Sequence, residues 1–125
     1  MTVFSIEQRI YYENTDAGGV MFYGEYLRFF ERARTEFMRH HGYNVAEMAS
    51  AEDKTIFVVR KADIDYLKPI FLDNMIEITA EIIEAKKSSI LFQQKIYRDD
   101  ILCTEAKILC VAVDKNGKVK RQEVF

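Results

Sequence analysis

Only one stretch of this chain carries the pattern of a long helix, and nearly all that follows it alternates like strands. From about Gly24 to His41, Tyr26, Phe29, Phe30, Ala33 and Phe37 recur at spacings of three and four, and Leu27 and Met38 widen the stripe. Arg28, Glu31, Arg32, Arg34, Glu36 and Arg39 form its polar side, and Gly42 supplies a stop. Before the helix, Val3–Tyr12 alternates, with Phe4, Ile6, Ile10 and Tyr12 sharing a face with Gln8. After it come a short helix over Val45–Glu52 and four strands: Ile56–Leu67, Met75–Ile83, Ile90–Tyr97 and Ile101–Val113. In the first of these Ile56, Val58, Ala62, Ile64 and Tyr66 are expected on one face. Lys68-Pro69, Lys86–Ser89, Arg98-Asp99-Asp100 and Asp114–Gly117 break the runs.

An antiparallel sheet with one apolar face needs cover, and the chain offers one long element for it. The pattern therefore predicts an α+β fold, about five antiparallel strands wrapped around one central helix, with the last four strands as a meander. The helix would be ~27 Å long at ~1.5 Å per residue. It covers only part of such a sheet, so the remainder is expected to meet a second subunit.

The 125 residues suit one domain, 1–125, and 49% hydrophobic content is enough for a core. A net charge of −2 gives no reason to expect nucleic acid as a partner. No apolar run approaches the ~20 residues of a membrane span, and the first residues lack a signal-peptide pattern. Cys103 and Cys110 stand an odd number of positions apart in one strand, which predicts opposite faces and no disulfide. Two unpaired thiols suit a reducing, cytoplasmic setting.

Asn14-Thr15-Asp16-Ala17-Gly18-Gly19-Val20-Met21-Phe22-Tyr23 puts one carboxylate in a glycine-rich loop directly before the helix. There it sits beside unpaired backbone N–H groups and the positive end of a helix dipole. An aspartate in such a loop is commonly just an Asx-turn or a cap. His40 and His41 lie at the other end of the helix, ~24 Å away, and read as a solvated terminus. No zinc spacing, nucleotide-binding glycine loop or Ser–His arrangement is present. The helix arginines read as surface partners of Glu31 and Glu36.

The segments Tyr11–Val20 and Tyr23–Arg34, the latter with Glu31-Arg32-Ala33-Arg34, resemble the hotdog-fold acyl-CoA thioesterases of the 4-hydroxybenzoyl-CoA thioesterase class, especially the Tol–Pal-associated (YbgC-type) branch. Ile64–Pro69 and Asp73 resemble it too, and the likeness runs from about Val3 to Val113. It implies hydrolysis of short-chain or aromatic acyl-CoA with no metal or other cofactor, coenzyme A being part of the substrate. It implies homodimers sharing a continuous sheet, often paired into homotetramers. The family's catalytic aspartate maps onto Asp16 and its backbone oxyanion donor onto Tyr23. Its basic turn for CoA phosphates maps onto Lys86 and Lys87, followed by Ser88 and Ser89. Gly18 and Gly19 would admit the acyl group, and Val20, Met21, Phe22 and Tyr26 would line its pocket at a subunit interface. Glu31 falls where aromatic-acyl enzymes hold an acid. The Tol–Pal branch has histidine where this chain has Tyr23, and the aromatic-acyl branch has tyrosine.

Asp16 could activate water or attack the thioester itself. Two other classes compete: a non-catalytic protein that binds acyl-CoA or docks on an acyl-carrier protein, and a hydratase or dehydratase on the same fold.

Overall fold

The computed structural model describes residues 3–121. The chain runs β1 (Phe4–Arg9), a 3-10 turn (Tyr12–Asn14), α1 (Tyr23–His40), α2 (Val45–Ser50), β2 (Ile56–Tyr66), β3 (Met75–Ala85), β4 (Ser89–Arg98) and β5 (Ile101–Val113). The five strands make one antiparallel sheet in the order β1-β3-β4-β5-β2. This is the wrapped sheet and central helix the sequence pattern predicts, with one change. Strands β3, β4 and β5 form a meander, but β2 does not join it at β3; it crosses to the far edge and pairs with β5. The eight residues 67–74 are too long and too constrained at Pro69 for a tight hairpin. They are tied instead to other elements: the Leu67 and Lys68 N–H groups donate to Cys103 O, and Ile70 O accepts from Met21 N at 2.7 Å.

Helix α1 buries Tyr26, Phe29, Phe30, Ala33, Phe37 and Met38 against Ile76, Ile78, Ala80, Phe92, Ile96 and Ile108 of the sheet. Phe29 and Phe30 have no exposed surface, and truncating either to alanine is expected to cost ~3–5 kcal/mol. The helix ends where Gly42 takes φ 90°, and the Gly42 and Tyr43 N–H groups close on Arg39 O and Met38 O. Asn44 then caps α2 by accepting from Glu47 N at 3.0 Å.

Three local irregularities correct the alternation read from the sequence. Strand β1 stops at Arg9, and the 3-10 turn throws Tyr12 out to 81% exposure instead of adding it to the face of Phe4 and Ile6. In β2 the register slips between Val59 and Lys61. Phe57 and Ile64 therefore both pack on the core although seven positions apart, while Ile56, Val58 and Tyr66 stay largely exposed. In β5, Ile96 of β4 faces Thr104 and Tyr97 faces Leu102, which leaves Cys103 as the extra residue of a bulge. The bulge shifts the face pattern, so Cys103 and Cys110 are both buried in the core instead of on opposite faces. Both thiols are free, as expected, and seven strand residues at ~3.3 Å each hold them ~23 Å apart.

Candidate active site

The loop before α1 is built from backbone hydrogen bonds. Asn14 is buried; its Oδ1 accepts from Tyr11 N at 2.8 Å, and its carbonyl accepts from Phe22 N at 2.8 Å. Asp16 N donates to Val20 O at 2.9 Å and Gly19 N to Asp16 O at 3.1 Å, closing a tight turn in which Gly19 takes φ 80°. Within that turn Gly18 N donates to Asp16 Oδ1 at 2.8 Å. The aspartate is thus an Asx-turn residue as well as a candidate for chemistry. Its carboxylate is exposed, with one oxygen held and the other bonded to nothing among the described residues. A Cβ at Gly18 would stand 3.3 Å from Asp16 Oδ1, so the glycine lets the backbone close on the carboxylate.

The loop is anchored from beneath by the segment before β3. Met21 N donates to Ile70 O, Leu72 N to Gly19 O and Asp73 N to Ile10 O. Phe22 stands at the helix N-cap position with no side-chain cap. The N–H groups of Tyr23 and Gly24 donate to no group among the described residues, and a helix start leaves such groups aimed outward. The exposed rings of Phe22 and Tyr23 lie 4.4 Å apart between centroids. Gly24 makes room for them, since a Cβ there would meet the Phe22 ring at 2.8 Å. Loop and helix start together offer a carboxylate, free N–H donors and an aromatic surface.

The expected pocket lining divides by depth. Val20 is half-buried and bridges to Phe71. Met21 and Tyr26 are 4% exposed and belong to the packed core, whereas Phe22 is 42% exposed. Burial, with the neighbouring Tyr66 and Cys103 adding to it, pushes the Tyr26 phenol up to about 12.

Other expected site residues lie elsewhere within the chain. Lys86, Lys87, Ser88 and Ser89 form the β3–β4 turn, closed by Lys86 N to Ser89 O at 2.8 Å. The loop flanks the beginning of β3 and this turn its end, so an 11-residue strand separates them, ~33 Å at ~3.3 Å per residue. Lys86, Ser88 and Ser89 line a groove of about 580 Å³ with Arg60, Lys61 and Lys107, over a floor that includes Leu91 and Leu109. Glu31 lies more than two turns along α1 from Tyr23 and accepts from Thr35 Oγ1 at 2.9 Å. It lines a separate cavity of about 70 Å³ with Arg34 and Cys110. Arg34 corrects the reading of the helix arginines as surface partners. It is half-buried and donates to Gln94 Oε1 at 3.0 Å. Burial draws its guanidinium below the ordinary value and raises the Cys110 thiol. His40 and His41 are exposed at the far end of α1, against the rings of Phe4 and Phe37.

Sequence reading passed over two residues here. Asn14 organises the loop; its signal was an asparagine next to a turn. Glu25 is buried in the first turn of α1 and pairs with Arg28 at 3.2 Å, where a carboxylate favours the helix dipole.

The fold and this site define the class. The family model of the thioesterase superfamily matches residues 18–105, and the chain belongs to that family. Among curated proteins it is similar to the acyl-CoA thioester hydrolase YbgC of Escherichia coli O6:H1, 43% identical over 90% of this chain and 84% of the relative. It is also similar to the acyl-CoA thioesterase YbgC of Haemophilus influenzae, 39% identical over 94% of this chain and 85% of the relative. The crystal structure of a probable thioesterase from Bartonella henselae superposes with a TM-score of 0.93 at 31% identity, covering 98% of this chain and all of that one.

Proposed function

We propose that this protein hydrolyses acyl-CoA thioesters of short-chain or aromatic acids, with Asp16 as the reacting carboxylate and the Tyr23 N–H as oxyanion donor. The observation that carries the reading is the placement of an exposed, backbone-held carboxylate on the loop that runs directly into an uncapped helix start. The names of the YbgC relatives support acyl-CoA as the substrate class. The thioester carbonyl would face the Tyr23 N–H, which polarises it and stabilises the charge that develops on oxygen; a donor of this kind is worth ~3 kcal/mol. Asp16 would either take a proton from a water that attacks the carbonyl, or attack the carbonyl itself and form an anhydride that water then hydrolyses; in either case the C–S bond breaks, CoA leaves as the thiol once protonated, and the Asp16 carboxylate is restored. Gly18 and Gly19 keep side chains away from the acyl carbon. No step calls on a metal or redox cofactor.

The reading includes a homo-oligomer. CoA is shorter from thiol to phosphates than the span between the loop and the Lys86–Ser89 turn of one chain, so the turn serves a site on another copy. Strand β2 is the long, exposed edge of the sheet, and its free backbone groups offer the pairing surface. A dimer formed there, paired further into a tetramer, would bring loop and turn together, in the cytoplasm. An acyl-carrier protein would present the same thioester to the loop as CoA does.

Asp16→Asn tests the reading: the variant should keep its circular dichroism and melting temperature and lose thiol release from a panel of acyl-CoAs. Wild-type turnover by that variant would sink the mechanism. Tight acyl-CoA binding by the wild type without thiol release would favour the non-catalytic alternative, and hydration of crotonyl-CoA the hydratase.

A further inference from the structure

The Asp16 loop rests on residues 69–74, and two arginines hold that segment from either side of β3. Loop and segment meet at three points: Met21 N donates to Ile70 O at 2.7 Å, Val20 bridges to Phe71, and Leu72 N donates to Gly19 O at 3.2 Å. The Val20 carbonyl in turn accepts from Asp16 N at 2.9 Å. Ile70 is fully buried, whereas Pro69, Phe71 and Asp73 are exposed, so the core grips the segment firmly at one residue. Arg98 ends β4 and Arg9 ends β1, the two strands that flank β3. Arg98 Nε donates to Pro69 O at 3.1 Å, and its guanidinium lies over the Phe71 ring, 5.7 Å from the centroid. Arg9 Nη1 donates at 2.8 Å to the carbonyl of Asp73, which takes φ 70°. Neither arginine forms an ion pair among the described residues. Both instead bond backbone carbonyls of this one short segment.

We propose that Arg98 is a positioning residue for Asp16: it fixes Pro69 and Phe71, and Phe71 sets the Val20 backbone on which the aspartate turn closes. Arg9 holds the far end of the same segment. The proposal rests on the reading of Asp16 as the reacting carboxylate. A planar guanidinium donates from its edge while its face covers a ring, whereas a lysine offers a point charge without that fixed fork. A carboxylate that must meet a held carbonyl loses rate when it is displaced by a fraction of an ångström. The basic turn lies at the other end of β3 and is left unchanged, so the loss falls on kcat and spares KM. The Arg98 contact is at the surface, so its removal hardly changes stability.

Arg98→Met, Arg98→Lys, Phe71→Leu and the double variant Arg98→Met/Phe71→Leu are compared with the wild type for kcat, KM and melting temperature, with Asp16→Asn alongside. Arg98→Met should lower kcat about tenfold with KM within about twofold and the melting temperature nearly unchanged. Arg98→Lys, which keeps the charge and loses the fork, should fall almost as far. Phe71→Leu should lose part of the rate, and the double variant should fall no further than Arg98→Met, because both act along one path. Amide hydrogen exchange supplies a second readout. In Arg98→Met the Asp16 and Met21 amides should exchange faster, while those of β4 and β5 keep their protection. Wild-type kcat in Arg98→Met or Arg98→Lys, with Asp16→Asn inactive, overturns this inference and leaves the site intact. A loss confined to KM, fully additive losses in the double variant, or unchanged exchange at Asp16 and Met21 overturns it as well. Full activity in Asp16→Asn overturns the site and the inference together.

Discussion

The two ends of β3 are built on different principles. At its start, the Asn14–Tyr23 loop is cross-tied by backbone bonds to Tyr11, Tyr12, Ile70 and Leu72 and to itself, with glycines where a side chain would intrude. At its end, the Lys86–Ser89 turn closes with few bonds and carries exposed lysines, one paired with Glu84 at 3.4 Å. Under the proposed function the contrast would serve two chemical tasks. Attack on a thioester needs atoms held to a fraction of an ångström, which backbone geometry supplies. Holding a polyanionic tail needs charge, and flexible lysines supply that as point charges.

Substitutions at the two ends should therefore fail differently. The largest effect belongs to Asp16→Asn, with kcat down at least about 100-fold and the fold unchanged, read by thiol release. Asn14→Ala comes next. It strands the Tyr11 N–H and loosens the loop, so stability should drop by ~1–3 kcal/mol in a denaturant titration and kcat should fall with it. Lys86→Glu/Lys87→Glu should raise KM several-fold, with a salt dependence, and leave kcat alone. An equal loss of kcat at the turn would erase the contrast.

The smallest effect lies outside both ends. Hydrogen bonds from Lys118 N and Asn116 N hold the exposed Asp114 carboxyl below its ordinary 3.8. A depressed folded value means its contribution is present above about 3.8 and fades as pH falls through the folded value. The melting-temperature gap between wild type and Asp114→Asn should be small at pH 7 and shrink further in acid.

The period of α1 and the alternation of β3 to β5 carried most of the fold, because burial imposes those periods directly. What escaped were register shifts. The extra residues in β2 and β5 leave no mark in residue type, yet they bring Phe57 onto the core and Cys103 inside it. The crossing of β2 escaped too, because strand pairing is decided by contacts distant in sequence. For the site, Asp16 and the glycines stood out through local turn chemistry and family likeness. Asn14 and Glu25 did not: a buried polar residue in a turn or a first helical turn reads as ordinary until its partners are seen.

Under the proposed function, the separation of loop and turn along β3 puts them to work across two copies. Asp16→Asn chains and Lys86→Glu/Lys87→Glu chains, mixed after dissociation and reassembled, test this by thiol release at substrate well below the wild-type KM. In a hybrid, one site would pair an intact Asp16 loop with an intact turn from the other chain. The account predicts activity clearly above the mean of the two separate variants. A mixture no more active than that mean would contradict it.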